Sequence, residues 1–70
     1  MCEAKVYVRS NGHEQKIMED VVLMQPDGDR FLLVNLLGEQ KLVHGRIEKL
    51  DFLKHTVHLS QLEEQATDQT

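Results

Sequence analysis

Strict apolar–polar alternation at the start of the chain, turn dipeptides at close spacing and the lack of any sustained helical period predict an all-β fold. Cys2, Ala4, Val6 and Val8 fall on one face of an extended segment, and Glu3, Lys5, Tyr7 and Arg9 on the other. A period of two with β-branched residues marks a strand buried on one side. Asn11-Gly12, Pro26-Asp27-Gly28-Asp29 and Gly38-Glu39-Gln40 punctuate the rest of the chain. About five short strands at such spacing predict a small barrel or sandwich, and a small SH3-like barrel is the expected architecture.

Cys2 to Arg9 is the first strand, with Cys2 opening its apolar face at the mouth of the core. Ser10-Asn11-Gly12 is a tight hairpin turn, because Asn-Gly tolerates the positive φ that hairpins need. Lys16 to Gln25 is the second strand region, interrupted by Glu19-Asp20 at an expected bend or bulge. Proline presets the first corner of the Pro26–Asp29 turn and Gly28 permits the later one. Phe31 to Leu37 is a near-continuous apolar run, expected to be a central strand covered on both faces. Lys41 to Phe52 is a long strand region whose parity changes, since Ile47 and Leu50 lie three apart. Gly45 or the Glu48-Lys49 pair is expected to supply the bulge or sharp bend that corrects it. Lys54-His55 closes a short turn before the last strand, Thr56 to Leu59. Ser60-Gln61-Leu62-Glu63 fits a capping box, which predicts a short helical turn. The expected organisation is one domain over residues 1–64 and a polar tail over 65–70.

Composition narrows the function. The chain has 70 residues and one cysteine. A domain of this size buries only about 60% of the surface its unfolded form exposes, and small scaffolds often add a metal or a second copy of themselves. A lone cysteine excludes an intrachain disulfide and leaves a reduced thiol, a metal ligand or a link between chains. The start carries no basic stretch followed by an apolar core and no apolar run approaches the roughly 20 residues of a membrane helix, so a cytoplasmic protein without a membrane partner is expected. Net charge is −4, with no Trp, two Phe and one Tyr. That is a poor balance for general nucleic-acid binding, which clusters cations. Gly-rich phosphate loops, Walker patterns and paired CxxC motifs are absent from the sequence, and no catalytic constellation is visible. A non-enzyme is expected.

Cys2 is the first candidate for chemistry. Removal of Met1 leaves an amine and a thiol on adjacent atoms of Cys2, which together close a five-membered chelate ring. With Met1 retained, its amine, the Cys2 amide nitrogen and the thiolate form two fused rings. Thiolate and nitrogen donors in a plane suit nickel(II) or copper(II), whereas zinc prefers a tetrahedron. Against this stands the plainer reading of Cys2 as a small buried hydrophobe. His55 and His58 are three apart and on a strand would point to opposite faces, so they read as surface residues, as do His13 and His44 beside glycines. His13 or His55 is left as an extra ligand brought near in space. Glu19-Asp20, Asp27 with Asp29, and Glu63-Glu64 read as solvated or turn residues. Lys41, Arg46, Lys49 and Lys54, interleaved with Glu48 and Asp51, read as a solvated sheet face, with a weak nucleic-acid surface as the minority reading.

Met1-Cys2-x-Ala4-Lys5, the Gly45-Arg46-Ile47 to Leu50-Asp51-Phe52 pattern and the closing Val57 to Leu59 strand resemble the CooT-like family of small nickel-binding proteins, over roughly residues 1 to 64. The resemblance implies an SH3-like fold, a homodimer, and nickel(II) held through Cys2. It implies a part in maturing nickel enzymes, notably carbon monoxide dehydrogenase, as the client. Family members also carry a predicted RNA-binding label drawn from the barrel's shape. A small RNA-binding module is therefore the alternative expectation, one that the acidic charge disfavours.

Overall fold

The computed structural model describes residues 3–61, which form six β-strands: β1 (Ala4–Ser10), β2 (His13–Asp27), β3 (Arg30–Asn35), β4 (Gln40–His44), β5 (Arg46–Asp51) and β6 (Thr56–Ser60). They make one sheet in the order β4-β3-β2-β1-β6-β5. All neighbours are antiparallel except β1 and β6, which run parallel. The expected all-β class is what the chain adopts. The count exceeds the expected five because the long Lys41–Phe52 region is cut in two at Gly45.

The sheet is rolled, and β2 does most of the rolling. Between Ala4↔Val21 and Val6↔Met18, two steps on β1 meet three on β2; between Val6↔Met18 and Tyr7↔Lys16, one step meets two. Against β3, Val21↔Asn35 is followed by Leu23↔Val34, so Val22 is also extra. In these two pairings every extra residue belongs to β2, and each bulge bends its own strand. Asp20 sits among them at φ 56°, a conformation that Asp tolerates better than most residues. The bend expected at Glu19-Asp20 is there. It folds the β3–β4 hairpin over the β1–β2 hairpin.

Gly45 marks where the two edges of the sheet meet. β4 and β5 occupy opposite edges, yet only this residue separates them in the chain. Its N–H donates to the Asp29 carbonyl at 3.4 Å, while a Cβ on it would lie 2.6 Å from the Ser60 carbonyl oxygen. It is thus wedged between the β2–β3 turn and the end of β6. Among the described residues no ladder joins β4 to β5, so the barrel-like sheet stays open along this seam. The parity change in the same region has a second source. Ile47↔Leu59 is followed by Lys49↔His58, which leaves Glu48 as a bulge. Both devices expected from the sequence are used.

The core is small. Val6, Val21, Leu33 and Leu59 are buried, with Val8, Ile17, Met18, Met24, Phe31, Val43 and Val57 packed around them. Burying each large apolar side chain contributes about 1.5–3 kcal/mol. The Phe31–Leu37 expectation needs correcting. β3 stops at Asn35, and Leu36 and Leu37 turn outward, Leu37 being 83% exposed. Likewise Phe52 leaves the sheet and is 81% exposed. Asn11 and Gly12 both have positive φ, as the expected hairpin turn requires. Cys2 lies outside the described residues, as do Leu62 and Glu63 of the expected capping box and the tail from Gln65; Ser60 itself ends β6.

Candidate metal site and its surroundings

Met1 and Cys2 lie outside the described residues, but the strand they lead into is fixed on both sides. Half-buried Glu3 precedes β1. Ala4 pairs with Val21 of β2, and the Lys5 N–H donates to the His55 carbonyl at 3.0 Å. β1 is thus an inner strand, between β2 and β6. Precise placement of donors favours strands over loops.

Two turns flank the start of β1. On the β2 side, Val21 pairs with Asn35 and the Leu36 N–H donates to the Asp20 carbonyl at 2.8 Å. Buried Asn35 organises that turn. Its Oδ1 accepts from the N–H groups of Leu37 and Glu39 at 3.0 and 2.9 Å, and its Nδ2 donates to Glu39 Oε1 at 2.7 Å. With those N–H groups taken by a side chain, the strand cannot continue, which is why the apolar run leaves the sheet here. On the β6 side, Asp51 Oδ1 accepts from the Lys54 N–H at 3.0 Å. That bond, more than any neighbouring charge, holds the Asp51 carboxyl below its ordinary range. His55 closes this turn at φ 56°. The tips carry Leu36 and Leu37 on one side and Phe52 and Leu53 on the other, all exposed, Leu53 by 90%.

The histidines are dispersed. His55 lies in the turn beside the start of β1, whereas His13 opens β2 at the far end of the hairpin. His44 ends β4, 4.0 Å from Asp29. His58 belongs to a cross-strand array on the outer face. Its ring stacks on Tyr7 with centroids 5.3 Å apart, its Nδ1 lies 2.6 Å from Glu14 Oε2, and its Nε2 lies 3.2 Å from Thr56 Oγ1. A ring donating from Nδ1 to the carboxylate and accepting at Nε2 from the hydroxyl satisfies both contacts. Among the described residues, no group of three or more His, Cys, Asp or Glu side chains is placed to hold a metal ion.

Three of the eight Lys and Arg side chains pair with carboxylates among the described residues. Arg9 pairs with Glu48, Lys16 with Glu19 at 2.9 Å, and Arg30 with Asp27 at 3.0 Å. Hydrogen bonding and charge from Lys16 hold the Glu19 carboxyl low, and Glu19 in turn raises Lys16. Arg46, Lys49 and Lys54 are exposed as expected, while Lys41 Nζ donates to the Ile17 carbonyl at 3.3 Å. Asp27 serves the turn as expected, and Glu63-Glu64 lie outside the described residues. The Arg9–Glu48 pair and the Tyr7–His58–Glu14 array went unread in the sequence, because strand register alone brings these residues together.

Comparison with known proteins agrees with the fold. The model of a family described as CO dehydrogenase accessory protein CooT matches residues 1–60. An uncharacterized protein of Methanocaldococcus jannaschii is 30% identical over 59 residues, which cover 84% of this chain and 96% of that protein. The crystal structure of a protein assigned to CooT from Carboxydothermus hydrogenoformans superposes with a TM-score of 0.80 at 26% identity, covering 87% of this chain and 98% of the other.

Proposed function

Since the chain belongs to the CooT family of CO dehydrogenase accessory proteins, we propose that it binds nickel(II) through the Cys2 thiolate and a nitrogen of its first residues, as a homodimer, and serves the maturation of a nickel enzyme. The observation that carries this reading is that the family match reaches residue 1 and so includes Met1-Cys2. The donor set fits the cargo. A thiolate and an adjacent amine or amide nitrogen offer the planar chelate that nickel(II) accepts. Cys2 lies two residues before an inner strand, so the chelate would stand on the sheet rather than on a free segment. On that account Cys2 is a ligand rather than a packing residue.

The homodimer rests on surface chemistry. The described residues bury four hydrophobic side chains and leave nine large ones exposed. Four of the nine, Leu36, Leu37, Phe52 and Leu53, stand in the two turns flanking the start of β1. Apolar residues gathered this way mark an association surface. A second copy docked there across a two-fold axis would bring both Cys2 thiolates together. Two nitrogens and two sulfurs would then complete a square plane. The RNA-binding alternative is disfavoured by the net charge of −4, and Arg9, Lys16 and Arg30 are paired with carboxylates.

The test is anaerobic titration of reduced protein with nickel(II), following thiolate-to-metal charge-transfer absorbance. The band saturates at one nickel per two chains and is lost in Cys2→Ser. Phe52→Asp, on the turn tip, gives a monomer by sedimentation and weakens nickel binding while leaving the circular dichroism unchanged. A band that survives Cys2→Ser overturns the assignment of the ligand.

A further inference from the structure

A second site lies at the opposite end of β1. On the inner face, residues of β1, β2 and β4 line a hollow of about 420 Å³, within the range of small-molecule sites. Strand alternation turns Val8 and Ser10 of β1, and His13, Gln15 and Ile17 of β2, to the same inner face, since Ser10 pairs with His13 and Val8 with Gln15. From β4, Lys41 and Val43 face inward, opposite Leu33 and Phe31. The floor is apolar, because Val8, Ile17 and Val43 are the side chains packed on the core. The rim is polar, with Ser10, His13, Gln15, Lys41 and Gln61.

The charge of this lining departs from that of the chain. The protein carries twelve carboxylate side chains against eight Lys and Arg, yet among the described residues no Asp or Glu lines the hollow. Its ionisable lining residues are Lys41, His13 and His44, all of them cations when protonated. His44 stands at the rim, with Asp29 4.0 Å away. Lys41 has no carboxylate within ion-pair distance among the described residues; its ammonium donates to the Ile17 carbonyl at 3.3 Å, and both residues line this hollow and the neighbouring one. Next to it, on the other side of Lys41, a separate hollow takes the opposite character, with Glu19, Asp20 and Glu39 in its lining. Ammonium, imidazole and amide donors above an aliphatic floor recognise an anion attached to a hydrocarbon body.

We propose that this hollow binds a small amphipathic anion, a medium-chain carboxylate being the simplest member of the class, with its chain on Val8, Ile17 and Val43 and its carboxylate at Lys41 and His13. The site uses neither Met1 nor Cys2 and does not depend on nickel.

The test is a titration of the full chain with octanoate, followed by amide chemical shifts, with octanol as the neutral counterpart. Octanoate shifts the amides of Val8, Gln15 and residues 41–44 in a saturable way, and octanol does not. Lys41→Gln weakens octanoate by about tenfold, the scale of a lost hydrogen bond to a charged group. Lys49→Gln, on the far strand β5, leaves affinity unchanged. Cys2→Ser, whatever it does to nickel, binds octanoate as before, so failure of one site is told apart from failure of the other. Equal binding of octanol, an unaffected Lys41→Gln, or shifts confined to Phe52 and Leu53 overturns the proposal. So does broadening of the same amides that grows with protein concentration and resists octanoate, which would give this face to a second copy of the chain.

Discussion

The two ends of β1 are built alike and finished differently. At its start, two turns project Leu36, Leu37, Phe52 and Leu53 into solvent. At its finish, residues of β1, β2 and β4 line an open hollow whose described lining holds no carboxylate. The same inner strand carries both, and the core residues Val6 and Leu59 lie between them. The difference teaches how a chain with so small an interior divides its work. Large apolar side chains stand exposed at one end, while polar side chains and an apolar floor are gathered at the other.

The bluntest way to erase the difference is to remove what holds the ends apart. Leu33→Ala takes a fully buried side chain from between the two halves of the sheet, and costs about 2–5 kcal/mol, read by urea denaturation. For a domain this small, that is enough to leave the chain largely unfolded. Gly45→Ala strikes the finish of β1 more than its start. The added Cβ meets the Ser60 carbonyl at 2.6 Å, backbone must move, and overpacking of this kind costs about 1–3 kcal/mol. Chemical shifts change most at Ser60 and Gln61, with the Leu36–Leu37 turn undisturbed. Asn35→Ala is the converse. It strips the acceptor from the Leu37 and Glu39 N–H groups, costs about 1–3 kcal/mol, and frees amide exchange at the start of β1 while the octanoate hollow persists.

The smallest effect is a matter of acidity. The Lys54 N–H bond holds the Asp51 carboxyl below its ordinary value. A depressed carboxylate stabilises the fold fully above the unfolded pKa of about 4. That contribution is lost as pH falls through the lower folded value. The protection of the Lys54 amide against hydrogen exchange therefore drops below about pH 4, while that of Leu33 persists. Asp51→Asn makes Lys54 protection independent of pH in this range; an unchanged pH profile in the variant would assign the effect to another group.

Local chemistry was legible in the sequence, and cross-strand chemistry was not. Asn11-Gly12 announces its turn because few other pairs adopt two positive φ values. The parity of Ile47 and Leu50 announces a correction, and Gly45 and Glu48 supply it. Glu19-Asp20 stands out because charge interrupts an apolar strand. Leu36 and Leu37 misled because hydrophobicity carries no mark of where a strand ends; that was settled by the Asn35 side chain taking two backbone N–H groups. The lining of the hollow draws on β1, β2, β4 and Gln61, which only the fold of β2 brings together. For Cys2, spacing left a ligand and a packing residue both open, and membership of the CooT family weights the choice.

The parallel pairing of β1 with β6 sets an order of events during synthesis. The hairpins β1–β2 and β2–β3 close between neighbours in the chain, and can form as soon as each is complete. β1 gains its second neighbour only after residue 60 has emerged, because β6 spans Thr56–Ser60. Contacts of such long sequence separation form late and slow the folding of the whole. Until then β1 has one open edge. Under the proposed function, a chain that lacks β6 has the Cys2 thiol but lacks one of the two neighbours that fix the strand after it, and it binds nickel more weakly than a chain made through to its sixth strand.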